Sequence, residues 1–324
     1  MRAQVVRELG GIESLRLVEV ESPDVPAGHI KIEVEAVGLN FPDLLMIQGL
    51  YQFKPDLPFS PGAEACGRII DVGDGVTDLV VGDRVMAVNL AGAMAEHFVA
   101  PEYNTFRIPD NLTADRAAAL SMTYGTTYHA LVDRSHLAEG ETLLVTGASG
   151  GVGSAAIQIG KALGAQVIAG VSTDAKAEVA ASLGADETVN YESGSLKDQV
   201  KELTGGKGAD VIYEPVGGDV FLQTLRCIAW EGRILVVGFA SGEIPSAPMN
   251  LPLLKGCSIV GVFWGGFARR NPVKNRANFA QILTWAADGT IDPHISATYP
   301  FEEAKTALTQ LANRTATGKV VLLL

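Results

Sequence analysis

The sequence predicts an α/β fold, a doubly wound parallel sheet joined to a smaller β-rich unit. Three observations carry this. From Thr142 onward, short apolar runs alternate strictly with helical segments. A glycine-rich turn joins the first of these runs to the first of these helices. Residues 1–121 have a different texture, a series of short β-like runs broken by turns. A chain of 324 residues also exceeds the size at which one core keeps growing, so two domains are expected.

Taken in order, HIKIEVEAVGL alternates apolar and polar positions, as a half-buried strand does. ACGRIIDVG and GDRVMAV are further strands, bounded by SPG, GDG and VGD turns. In NLTADRAAAL, Thr113 is placed to cap an alanine-rich helix. Then TLLVT reads as a strand and GGVGSAAIQIGKALG as a helix. AQVIAG, ETVNY and ADVIYEPV follow as strands, each with its helix: DAKAEVAASLG, SLKDQVKELTG and DVFLQTLRCIAW. RILVVGF and GCSIVGVF close the series. These runs are short and nearly continuous in apolar residues, which suits strands covered on both faces. Helices near NRANFAQILTWAADG and FEEAKTALTQLAN and a last strand, KVVLLL, form a tail too short to be a domain. The tail is therefore expected to return to the first unit. The expected division is 1–121 with 264–324, and 122–263.

Composition excludes several classes. A hydrophobic content of 47% supports a full core, and a charged content of 19% is too low for a disordered chain. A net charge of -12 repels phosphate backbones and argues against nucleic acid. No apolar run approaches the ~18 residues of a membrane span, and MRAQVVRELGG does not read as a signal peptide. Cys66, Cys227 and Cys257 are too sparse for a disulfide framework, so a reducing cytoplasmic setting is expected. His29, His97, His129 and His136 show no ligand spacing.

The glycine-rich turn admits two readings. Gly147-Ala148-Ser149-Gly150-Gly151 fits the nucleophile elbow G-x-S-x-G, with His294 the one histidine downstream. The same stretch, continued to Val152 and Gly153, is A-x-G-x-x-G between a strand and a helix. That pattern cradles a dinucleotide pyrophosphate. The second reading is preferred because it also accounts for Gly151 and Gly153. Gly150, Gly151, Val152 and Gly153 are then the pyrophosphate segment. The acid that would bind an adenosine ribose is missing from the end of the second strand. Asp174 lies beyond it, and Ser172 and Lys176 stand nearby. A hydroxyl with an ammonium suits a 2′-phosphate, so NADPH is expected rather than NADH.

PGAEACGRIIDVGDGVTDLVVGDRV, TGASGGVG and GKVVLLL resemble the medium-chain dehydrogenase/reductase superfamily. The branch they resemble is that of the zinc-independent quinone oxidoreductases, the zeta-crystallin-like proteins. GGDVFLQTLRCIAWEGRILVVGFASG adds to the likeness, which spans essentially the whole chain. The resemblance implies a Rossmann domain, a GroES-like catalytic domain from both chain ends, and a homodimer, paired through an edge strand such as GCSIVGVF. Zinc-dependent relatives carry Cys where this chain has Asn40 and His where it has Ala63, so no metal is expected. Without a Lewis acid, hydride transfer to an electron-poor acceptor is easier than alcohol oxidation. A quinone is expected, with an enone, enal or enoyl thioester as the alternative and a non-catalytic NADPH-binding protein after that.

Asn40 and Tyr51 are the candidate donors to the acceptor, and Tyr51 also matches the proton donor of 2-enoyl thioester reductases. By the same resemblance Thr126 falls near the nicotinamide carboxamide and Tyr191 near the adenosine phosphate. Phe239, Phe263 and Trp264 fall at strand ends facing the cofactor, and Lys319 near the cofactor. Each also has a plain alternative: a loop aromatic for Tyr51, a helix-start residue for Thr126, core packing for the aromatics, an edge lysine for Lys319. Arg269, Arg270, Lys274 and Arg276 form a short basic run, read as a solvated loop unless it receives the phosphates of a coenzyme A substrate.

Overall fold

The computed structural model describes residues 1–324. The chain opens with an antiparallel ribbon, β1 (Arg2–Val6) and β2 (Leu15–Glu19). The alternation in HIKIEVEAVGL becomes β3 (His29–Leu39), with Ile30, Ile32 and Val34 turned into the core. Next come α1 (Phe41–Ile47), β4 (Glu64–Val72), β5 (Arg84–Val88), β6 (His97–Pro101), β7 (Thr105–Arg107) and α2 (Ala114–Ala118). Then α3 (Ser121–Tyr128) continues into a π-helical turn at His129–Arg134.

The strand-helix series follows: β8 (Thr142–Thr146), α4 (Gly151–Ala162), β9 (Gln166–Val171), α5 (Asp174–Ser182), β10 (Glu187–Asn190) and α6 (Leu196–Leu203). It continues with β11 (Ala209–Glu214), α7 (Gly218–Cys227), β12 (Ile228–Val236), α8 (Asn250–Lys255) and β13 (Ser258–Gly261). The last elements are α9 (Trp264–Arg270), α10 (Pro272–Asp288), β14 (Ile295–Pro300), α11 (Ala304–Ala312) and β15 (Lys319–Leu323).

Two compact units result. The first holds Met1–Met122, Phe267–Gly289 and Ile295–Leu324, and the second Thr123–Gly266 with Thr290–His294. The junctions expected from the sequence are 121/122 and 263/264, and nothing in the sequence marks the short excursion at 290–294. In the first unit a seven-stranded sheet runs β14-β15-β3-β4-β5-β7, and β6 also pairs with β3. The chain's tail does return there: β15 lies antiparallel to β3, with Val320 opposite Leu39. Phe301, Ala304, Ala307 and Leu308 complete that core.

The second unit is a six-stranded, all-parallel sheet in the order β10-β9-β8-β11-β12-β13. The order reverses direction between β8 and β11. In such sheets the crevice beyond the strand C-termini at that reversal is where ligands bind.

Two expectations shift. The helix expected to run on through Ile228-Ala229-Trp230 stops at Cys227, and those residues open β12. Ile228 is fully buried against β11, and the strand then kinks at Glu231, whose φ is 57°. Helix α1 was not anticipated. Asn40 and Asp43 close its start, the Asp43 carboxylate accepting from the Asn40 N–H at 2.8 Å and the Asp43 N–H donating to the Asn40 carbonyl at 3.0 Å.

Candidate active site and cofactor site

The turn after β8 is built by backbone, with little help from side chains. Gly147 adopts φ 57°, and the Gly150 N–H donates to its carbonyl at 3.0 Å. Gly150 is the N-cap of α4 and no side chain caps it, so the first helical N–H groups keep their capacity for an anion. Helix and strand meet closely at Gly153. A Cβ there would stand 2.3 Å from the Gly147 carbonyl oxygen and 2.7 Å from Ala148 Cα. This cradle is of the kind a dinucleotide pyrophosphate needs. The elbow reading fails on geometry. Ser149 and His294 are not paired, and His294 Nε2 is buried without a hydrogen-bond partner. Burial also pulls the His294 pKa down.

Glu214, at the C-terminal end of β11, braces the next turn and was not singled out in the sequence. Its Oε1 accepts from Thr146 Oγ1 at 2.9 Å and from the Val216 N–H at 2.9 Å, and Oε2 accepts from the Gly217 N–H at 3.0 Å. Burial raises its pKa, and these donors oppose the rise. The carboxylate ties β8 to the turn after β11, the two sides of the reversal point.

At the end of β9, Ser172 and Lys176 come together, with Lys176 Nζ donating to Ser172 Oγ at 3.3 Å. Thr173 between them caps α5 by accepting from the Lys176 N–H at 3.3 Å. Asp174 turns to Asn190, whose Nδ2 donates to Asp174 Oδ1 at 2.8 Å. Tyr191 follows directly, its N–H on the Val171 carbonyl at 3.0 Å.

Other candidates in this unit separate. Thr126 is half-buried on α3. Its neighbour Thr127 is the fully buried one, bonded to the Tyr213 hydroxyl at 2.9 Å. Phe239 lies past the end of β12, beside Gly217: a Cβ on that glycine would stand 3.1 Å from Phe239 Cδ1. Phe263 is 67% exposed, whereas Trp264 is 4% exposed and packs as a core residue.

In the first unit the structure gathers Asn40, Asp43, Glu64 and Lys319, three of them pairwise bonded. The Lys319 ammonium is buried and donates to the Leu39 carbonyl at 2.9 Å, Asn40 Oδ1 at 2.7 Å and Glu64 Oε1 at 2.5 Å. Glu64, fully buried, also accepts from the Met122 N–H at 2.7 Å. Asn40 Nδ2 donates to the Gly38 carbonyl at 3.1 Å and to Glu64 Oε1 at 2.9 Å. Both Asn40 amide hydrogens and all three Lys319 ammonium hydrogens are spent inside the unit.

Asp43 is fully buried. Burial, only partly offset by the Asn40 N–H and the Lys319 charge, raises its pKa to about 7. Tyr51 packs half-buried against the same core, and burial first, then the Asp43 charge, pushes its phenol pKa up. Of the basic run, Arg276 is tied to Asp78 at 2.5 Å.

A zinc centre does not fit these residues. Ala63 offers no donor, the Asn40 amide is engaged, and the Glu64 carboxylate is already paired with an ammonium. No group of three or more His, Cys, Asp or Glu side chains is placed to hold a metal ion.

Comparison with known proteins agrees with this architecture. Residues 26–110 match the model for the alcohol dehydrogenase GroES-like domain, and residues 151–287 that for the zinc-binding dehydrogenase. Quinone oxidoreductase-like protein 2 of Mus musculus is 40% identical over 322 residues, covering 99% of this chain and 91% of its own. The Pseudomonas syringae quinone oxidoreductase structure superposes with a TM-score of 0.93 at 33% identity, over the full length of both chains. The Escherichia coli quinone oxidoreductase, solved with NADPH, gives a TM-score of 0.93 at 29% identity, again over both full lengths. With its Rossmann sheet and its GroES-like unit, the chain belongs to the zinc-independent quinone oxidoreductase branch of the medium-chain dehydrogenase/reductase superfamily.

Proposed function

We propose that this protein is an NADPH-dependent reductase that passes hydride to a quinone or a similar electron-poor acceptor without a metal. The observation that carries the cofactor choice is the Lys176–Ser172 pair at the end of β9, where an NAD-binding chain would present a carboxylate. The relatives' names support the acceptor class. Gly150 to Gly153 hold the pyrophosphate on the N-terminus of α4, and Ser172 and Lys176 receive the 2′-phosphate, with Tyr191 beside them. Thr126 and Phe239 serve the nicotinamide end, and exposed Phe263 remains available to ligand, whereas Trp264 acts through packing. When bound, the dihydronicotinamide supplies the hydride. Tyr51 donates a hydrogen bond to the acceptor oxygen through its phenol, whose ionisation burial further disfavours. Asn40, Glu64 and Lys319 fix the start of α1, and with it the segment that leads to Tyr51.

The same phenol favours a second reading, reduction of an activated C=C bond, in which Tyr51 gives a full proton to carbon. One experiment separates the two: loss of NADPH absorbance with a simple quinone and with crotonyl-CoA in parallel, NADH as control, for wild type and Tyr51→Phe. Turnover of the quinone with a mild Tyr51→Phe loss supports the first reading. Turnover of the thioester alone, abolished in Tyr51→Phe, supports the second. A preference for NADH overturns the cofactor assignment, and tight NADPH binding without turnover would make the protein a non-catalytic binder.

We also propose a homodimer formed through β13. This strand ends the six-stranded sheet, and its neighbourhood is apolar and open: Ile259 is 36%, Leu253 79% and Leu254 66% exposed. Ile259→Lys should convert the dimer to monomer in sedimentation velocity, and a wild-type monomer would refute the assignment. No helix is long and apolar enough to cross a membrane. The three free cysteines, two of them buried, support a reducing compartment such as the cytoplasm.

A further inference from the structure

The end of β9 carries one acid among the groups assigned to the 2′-phosphate. Asp174 is the first residue of α5, between the Thr173 cap and Lys176, and it is exposed. A carboxylate there opposes a phosphate that carries roughly -1.5 to -2 charge. The structure answers this charge from the next strand. Asn190 closes β10, and its side chain has a fixed sense: Oδ1 accepts from the Glu192 N–H at 3.1 Å, so Nδ2 is the atom that faces Asp174. Its backbone is held as well, the Asn190 carbonyl accepting from Gln199 Nε2 at 2.9 Å and Ser193 Oγ at 3.1 Å. A braced amide thus engages Asp174 Oδ1 at 2.8 Å.

We propose that Asn190 is a specificity-determining residue that tolerates Asp174 beside the NADPH phosphate by drawing its carboxylate across to β10. This rests on the reading of Ser172 and Lys176 as the 2′-phosphate site. Released, Asp174 would repel the phosphate or compete with it for the Lys176 ammonium, either of which costs NADPH and spares NADH. The tested quantity is the ratio of the NADH to the NADPH dissociation constant, measured by cofactor fluorescence on the full chain.

Asn190→Ala should lower that ratio about 3- to 10-fold, the size expected of a partly screened pair of exposed charges. Asn190→Asp, which keeps the acceptor for Glu192 and adds a like charge, should lower it further. Adding Asp174→Asn to Asn190→Ala should restore the ratio, and higher salt should shrink the Asn190→Ala effect. Equal weakening of both cofactors, or no rescue by Asp174→Asn, would overturn the proposal and leave Asn190 a structural brace. Lys176→Ala separates the two layers of the argument. If it leaves the ratio unchanged, the 2′-phosphate site itself is misplaced. If it lowers the ratio while Asn190→Ala does not, only the role of Asn190 falls.

Discussion

Replacing Lys319 with methionine tests the charged cluster of the first unit directly. Glu64 is fully buried and Lys319 is 3% exposed, so water screens neither partner of their 2.5 Å contact. Removing one member of such a pair leaves a buried charge, at a cost of about 3–5 kcal/mol. Glu64 keeps two donors, the Met122 N–H and Asn40 Nδ2, which places the expected loss near the lower end, about 3 kcal/mol. For a unit of this size that corresponds to a fall of about 6–12 °C in melting temperature. Glu64→Gln alone should also destabilise, since the ammonium then loses its counter-charge. The double variant should recover most of the loss, because a neutral amide can still bond Met122. Thermal melts of the four proteins close the cycle. Single variants within 2 °C of wild type, or a double variant equal to the sum of the singles, would refute the reasoning. NADPH affinity should stay unchanged in Lys319→Met, since all three ammonium hydrogens point inward. Weaker NADPH binding with an unchanged melt would restore Lys319 as a cofactor contact.

Asp43 should leave a signature in the pH dependence of stability. Its pKa rises from 3.8 to about 7 on folding, so between these values the folded chain keeps a proton that the unfolded chain has lost. The contribution is therefore fully present below 3.8 and is lost as pH rises through 7, roughly 4 kcal/mol at the upper limit. Asp43→Asn, which still accepts from the Asn40 N–H, should melt with a flatter profile from pH 5 to 8, and matching slopes would dismiss the assignment. Gly153→Ala forces a Cβ to 2.3 Å from a backbone oxygen, so it should weaken NADPH binding by at least an order of magnitude, read by fluorescence titration. Unaltered binding would mean the α4 turn is not the pyrophosphate cradle.

What the sequence made legible was local. The alternation of β3 and the run-and-helix series from β8 to β13 repeat over a few residues, and each came out as a strand or helix. Ser172 and Lys176 are four residues apart across a helix cap, so their pairing could be anticipated from spacing. The Asn40-x-x-Asp43 capping pattern was equally local, and it could have revealed α1. By contrast, Lys319 and Glu64 stand 255 positions apart, and only the pairing of β15 with β3 brings that lysine under Asn40. Side-chain type alone leaves a partner undetermined for the same reason: an asparagine amide in a motif is a donor, but its hydrogen bonds are decided by what folds against it, here the Gly38 carbonyl and Glu64. Phe263 and Trp264 are adjacent aromatics, and the start of α9 exposes one and buries the other.

The buried ammonium also bears on what it would take to place a metal here. The resemblance to zinc-dependent dehydrogenases implies Cys at position 40 and His at position 63, so that Asn40→Cys with Ala63→His would be expected to rebuild a ligand set around Glu64. The geometry says otherwise, because Glu64 would still be neutralised by Lys319 at 2.5 Å, and a dication entering beside that ammonium meets a like charge in a site closed to water. The double variant should therefore bind zinc weakly in a competition titration against a chromophoric chelator. Adding Lys319→Ala should raise the affinity by at least tenfold, the factor set by freeing one carboxylate ligand and removing one buried positive charge. Equal affinities in the double and triple variants would show that Lys319 does not occupy the metal's electrostatic role, and that the neutral residues at 40 and 63 alone account for a site without zinc.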